Sequence, residues 1–171
     1  VKNFFSIFAF LFSFSTLGSA AIPVSQLRDL YFGARDEKGK LAYFQAVQKA
    51  DESDPLQCGY KGVAVASYAE LADGVSEKFR YFEQGKNLLE KAIKLSPYNA
   101  ELRFLRYSVQ DNVPWIVNYS DQLEEDAAFI MAAIRQKKVN AKDTFWPKAI
   151  RFLLNSDDMS SKDKNELKQY L

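Results

Sequence analysis

Two arginines one helical turn apart, Arg103 and Arg106, stand in "AELRFLRYSVQDNVP", a stretch whose helical circumference is otherwise mostly apolar. A guanidinium at the edge of a core must find a carboxylate and further acceptors, because a buried unpaired charge costs several kcal/mol. On a helical wheel Leu102, Leu105 and Val109 form the apolar stripe, with Arg106 on its border and Arg103 farther round towards Tyr107. The spacing therefore predicts different work for the two. Arg106 is expected to clamp its helix to an acid of a neighbouring one, Glu83, Glu90, Glu125 or Asp126. Arg103 is expected to face outwards and offer its charge to an anionic group of a partner, with Tyr98, Tyr107 and Trp115 beside it as aromatic contacts.

Other site chemistry is sparse. The chain has no histidine, which removes the commonest general base, the Ser-His and Cys-His dyads, and most zinc or non-haem iron sites. No glycine-rich phosphate loop precedes a helix, and a lone cysteine, Cys58, builds neither a thiolate cluster nor an internal disulfide; it reads as a small buried hydrophobe or an inter-chain partner. Carboxylate pairs such as Glu70 with Glu83, Glu124 with Asp126, or Glu83 with Glu125 leave a glycan-cleaving enzyme of muramidase type as the alternative. Acids beside lysines on a helix surface more often form a solvated face. "DESD", Asp51 to Asp54, lacks the alternating ligands and glycine of a calcium loop. No metal and no cofactor is expected, and the "NYS" at Asn118 is read as a chance sequon.

The elements that must position these residues are helical. Apolar residues recur at helical spacing along the chain, and no stretch shows the sustained alternation of a half-buried strand. Ser25 is placed as the cap of a first helix carrying Leu27, Leu30, Tyr31 and Ala34, and a second carries Leu41, Phe44 and Val47. A third, from about Leu56 to Ala72, is rich in alanine and glycine, which permits close approach of a neighbour. A fourth, from about Glu77 to Leu95, has Phe79, Phe82, Leu89, Ala92 and Ile93 as its core stripe, and Tyr81, Leu88 and Leu95 as a second stripe for a second neighbour. Asn99 caps a fifth that stops before Pro114. A sixth covers about Leu123 to Lys138, and a seventh follows Asp143 or Thr144 with Pro147 in its first turn. Ser160 with Asp163 opens a last, polar helix, and residues 155–171 are expected to lie at the periphery.

Residues 1–20 read as a signal peptide: one lysine, an apolar run from Phe4 to Leu17, then Gly18, Ser19 and Ala20. The run falls short of the roughly 20 apolar residues that span a bilayer, so cleavage after about Ala20 and no stable membrane insertion afterwards are expected. Lys2 is the leader's only charge, and its removal leaves acids and bases equal in number. A balanced chain without basic runs argues against nucleic acid, which demands a dense positive face. At 47% hydrophobic and 26% charged, the 171-residue sequence suits one globular domain, placed at 21–171.

"LLEKAIKLSPYNAEL" resembles the junction between two tetratricopeptide (TPR) repeats, with Ala92, Leu95, Pro97, Asn99 and Ala100 in the places of the small residue, the leucine, the helix-ending proline and the next helix start. "AVQKADESDPLQCGY" echoes it. Pro55 and Pro97 are farther apart than the family's roughly 34-residue period. The stretch from Pro97 to Ile130 is also similar to exported proteins of unknown role from the Bacteroidota. The resemblance implies an all-α, TPR-like stack of about seven or eight antiparallel helices, a short α-solenoid. It would be exported to the periplasm or beyond and act as a non-catalytic scaffold for a protein or peptide partner.

Overall fold

In the computed structural model residues 22–113, 117–136 and 143–171 are described, and the architecture among them is all helical, with no strand. Eight α-helices follow in order: α1 (Val24–Gly33), α2 (Glu37–Ala46), α3 (Pro55–Tyr68), α4 (Gly74–Leu95), α5 (Ala100–Asn112), α6 (Leu123–Arg135), α7 (Phe145–Asn155) and α8 (Ser161–Leu167). Short 3-10 turns extend α2 through Val47–Lys49 and α8 through Lys168–Tyr170. The starts follow from side chains that satisfy the free amides of a first turn. Asp36 accepts from Gly39 N at 2.7 Å, Asp54 from Gln57 N at 2.8 Å, Asn99 from Glu101 N at 2.9 Å, and Ser160 from Asp163 N at 3.1 Å. Ser25 is not a cap. Pro23 holds that position, without a side-chain bond, and the helix begins two residues earlier than the serine requires.

The centre of the molecule is the α3–α4 hairpin, where two backbones nearly touch. A Cβ added at Gly85 would stand 2.4 Å from Ala66 N and 2.6 Å from Gly62 O, and one at Gly62 would stand 2.9 Å from Gly85 O. Gly59 faces Ala92 one turn further along, so partners descend along α4 as positions climb along α3, which makes the pair antiparallel. Around it pack Leu27 of α1, Tyr43 of α2, Leu102, Phe104 and Leu105 of α5, Ile130 and Met131 of α6, and Phe145 and Leu153 of α7, all essentially without solvent contact. Cys58 lies in this core, its thiol directed at Leu88 O, 3.3 Å away.

Two expectations about the periphery differ from the structure. Phe79 belongs by period to the core stripe of α4, yet it is 61% exposed, as is every residue from Asp73 to Arg80 to a similar class. At 22 residues α4 is longer than α3 or α5 beside it, and its first turns have no neighbour among the described helices. Conversely, the polar α8 is anchored. Met159 and Leu167 are buried against the core, and Arg135 of α6 donates to both oxygens of Glu166 at 2.7 Å.

Candidate functional site

Arg106 is buried, and its guanidinium is fully engaged. Nε donates to Asp126 Oδ2 at 2.7 Å, Nη2 to Asp126 Oδ1 at 2.8 Å, and Nη1 to Glu90 Oε2 at 3.0 Å. Asp126 has no solvent exposure and Glu90 also accepts from Tyr119 OH at 2.8 Å. Three helices, α4, α5 and α6, therefore meet on one cation. Burial pulls the Arg106 pKa down, but the bonds to Asp126 and the charges of Asp126 and Glu90 outweigh it and hold the group above its ordinary value. Burial, reinforced by the Glu90 charge, likewise raises the Tyr119 phenol, which stays a neutral donor. Of the other acids considered for Arg106, Glu83 pairs with Lys86 on its own helix and Glu125 pairs with Arg103.

Arg103 does not face outwards. Its Nη1 donates to Glu125 at 2.9 Å and to Asp126 at 3.0 Å, its Nε to Pro97 O at 3.3 Å, and its plane lies 5.1 Å from the Phe129 ring centroid. The side chain keeps only 13% of its exposure. The wheel placed it correctly off the α5 stripe, but that side of α5 is where α6 packs. Tyr107 is not a surface aromatic either: it is fully buried and its hydroxyl lies 2.6 Å from Ser156 Oγ, with burial pushing its pKa up to about 12. Tyr98 is 87% exposed. Trp115 lies outside the described residues.

The carboxylates considered for hydrolysis are dispersed. Glu70 pairs with Lys40, Glu124 is on the exposed side of α6, and Asp126 is held by two arginines. In "DESD", Asp51 accepts from Ser53, Asp54 caps α3, and Glu52 bridges Lys61 at 2.9 Å and Lys91 at 3.1 Å. Glu52, Lys61 and Lys91 help to line an open groove of about 570 Å³ between α2, α3 and α4. Phe44, Val65, Tyr81 and Leu88 supply its apolar wall, and Gln48, Gln84 and Asn87 its amides. Phe44 stacks on Tyr68 with centroids 4.0 Å apart, and Tyr81 stands edge-on to Tyr68 at 4.8 Å.

No protein-family model, curated protein or solved structure matches the chain.

One cluster escaped the sequence reading. Arg28 of α1 donates through Nε and Nη2 to the two oxygens of Glu101, at 2.8 and 2.5 Å, and through Nη1 to both oxygens of Asp143, at 2.9 and 2.8 Å. Tyr60 OH of α3 donates to Glu101 Oε1 at 2.6 Å, and the guanidinium lies 5.1 Å from the Phe145 ring centroid. The bond to Glu101 is the main reason that the Arg28 pKa is raised, while burial beside the Glu101 charge lifts that of Tyr60. Only the position of Arg28, next to Leu27 on the core face of α1, hinted at it.

Proposed function

We propose that the chain is an exported, non-catalytic interaction module, a short TPR-like stack of helical hairpins that holds a protein or peptide partner on its surface. The observation that carries this reading is the bare start of α4. Val75 is 85% exposed and Phe79 61%, and with Phe82 they continue the core stripe of the helix at spacings of four and three residues. A stripe of this kind normally ends where the neighbouring helices end, and apolar side chains in a contiguous exposed set mark contact sites. Tyr98, just past the other end of α4, gives a second exposed anchor of the kind that dominates interfaces. The use of Arg103, Arg106 and Arg28 inside the fold supports the same reading, since their charge is spent on holding helices together.

Export is supported by the three-part leader at residues 1–20, and no described helix is long and apolar enough to cross a membrane. A photocrosslinking residue placed at Phe79 and at Tyr98, in the native cell, is expected to yield discrete protein adducts that the same residue at exposed Lys38 does not. Val75→Asp should weaken the adducts formed at Phe79 while keeping the wild-type denaturation midpoint. Adducts no stronger at Phe79 or Tyr98 than at Lys38 would refute the interaction surface.

A further inference from the structure

The groove between α2, α3 and α4 lies on the side of α4 turned away from Phe79, since at 100° per residue Tyr81, Gln84, Leu88 and Lys91 fall on the opposite half of the helix. We infer that this groove is a binding site for a neutral saccharide segment, held by side-chain amides over an aromatic and aliphatic wall. The charge pattern decides against an ionic ligand. Two ammonium groups, Lys61 and Lys91, share the Glu52 carboxylate, and Asp51 and Asp54 next to it offset the remaining positive charge. Glu52 is held ionised by those lysines, first by the bond from Lys61 and then by that from Lys91. A charged ligand would have to displace this bridge and would gain no net field in return.

The hydrogen-bonding groups decide between neutral ligands. Gln84 and Asn87 are exposed and their side chains form no hydrogen bond among the described residues. An amide presents a donor pair and an acceptor in one plane, which matches vicinal hydroxyls that each donate and accept. Glu52 adds an acceptor and Lys91 a donor at the same margin. Val65 and Leu88 offer an apolar surface to the C–H groups of a sugar ring, beside Phe44, which stacks on Tyr68, and Tyr81, whose ring carries the Arg80 guanidinium 4.4 Å away. The groove's volume, about 570 Å³, is in the range of small-ligand sites.

Titration of the full protein with neutral trisaccharides of glucose, mannose and N-acetylglucosamine, followed through the side-chain amide resonances of Gln84 and Asn87, tests the assignment. At least one trisaccharide is expected to shift both resonances saturably, and the affinity should hold between low and high salt because no ion pair is formed. Gln84→Ala with Asn87→Ala, both exposed and therefore neutral for folding, should weaken binding by roughly tenfold or more. Tyr81→Ala with an unchanged circular dichroism spectrum should also weaken it. The assignment is overturned if none of the trisaccharides shifts these amides, if the shifts persist undiminished in the double variant, or if binding fades with salt. An uncharged Ser-Leu-Ala-Ser peptide that shifts the same amides more strongly than every trisaccharide would replace the saccharide with a peptide. Crosslinking at Phe79 is unaffected by any of these results, so the two surfaces stand or fall separately.

Discussion

Asp126 accepts three hydrogen bonds from two arginines, two of them from Arg106, and this decides what each arginine is worth. Removing one member of a buried pair leaves the other charge uncompensated, at a cost of about 3–5 kcal/mol. Arg106→Ala is expected to fall in that range in urea denaturation. Arg103→Ala should cost less, roughly 1–3 kcal/mol, because Asp126 keeps its bidentate partner and only one charge-assisted bond to it is lost. Equal losses for the two would show that the pair acts as one unit. A second residue-scale expectation concerns Asp111, whose carboxylate accepts from Ser156 Oγ, itself bonded to Tyr107. Burial raises its pKa, the bond from Ser156 works against the rise, and Asp157 and Asp158 add to it. A carboxyl whose folded pKa lies above its unfolded value contributes stability at low pH that is lost as pH rises through the folded pKa. Asp111→Asn should therefore be more stable than wild type at neutral pH, with the difference vanishing in acid; the pH dependence of the thermal midpoint checks this. Gln110 offers a third case. Its Oε1 is buried without a donor among the described residues while its Nε2 donates to Gln122 at 3.0 Å, so Gln110→Met gives up one bond and relieves one unsatisfied acceptor, and urea denaturation should show a change under about 1 kcal/mol.

At the scale of elements, the hairpin α3–α4 depends on three small residues whose absence of side chain brings two backbones together. Gly85→Ala would drive a methyl against backbone atoms of Ala66 and Gly62 that have no rotamer to change. The two helices would have to separate, at a cost of about 3 kcal/mol or more, visible as a lowered thermal midpoint with helicity kept below it. The glycine and alanine content of α3 made this close approach legible, and helical period with its caps made most of the helices legible too. The starts of α1 and α4 were not, because the residues at their N-caps, Pro23 and Asp73, make no side-chain cap bond. Phe79 shows the limit of period alone. A wheel says which residues share a face of α4 but not how far along its 22 residues a neighbour reaches. The same limit misplaced Arg103 and Tyr107, since α6 and α7 cover sides of α5 that its own sequence cannot show to be covered.

At the scale of the molecule, the helices are held by charge as well as by apolar contact. One cation, Arg106, joins α4, α5 and α6; another, Arg28, joins α1 to α5 and to the residue two before α7. The second was illegible because its partners lie 73 and 115 residues away, beyond any local pattern. The anchoring of α8 was masked in the same way, its polar sequence concealing one deeply placed leucine. Leu167→Ala is expected to cost about 2–5 kcal/mol, and hydrogen exchange should then find α8 open while α3 stays protected. Loss of protection in α3 at the same rate would mean that the chain has no separable outer layer.

The Arg28 brace also sets a clock. A chain made from its N-terminus at roughly 5–20 residues per second presents Arg28 well before it presents Asp143, and the interval is on the order of ten seconds. Through that time α1 holds a guanidinium whose full set of acceptors does not yet exist. The brace that ties α1 to the start of α7 is thus completed only after most of the chain has been made.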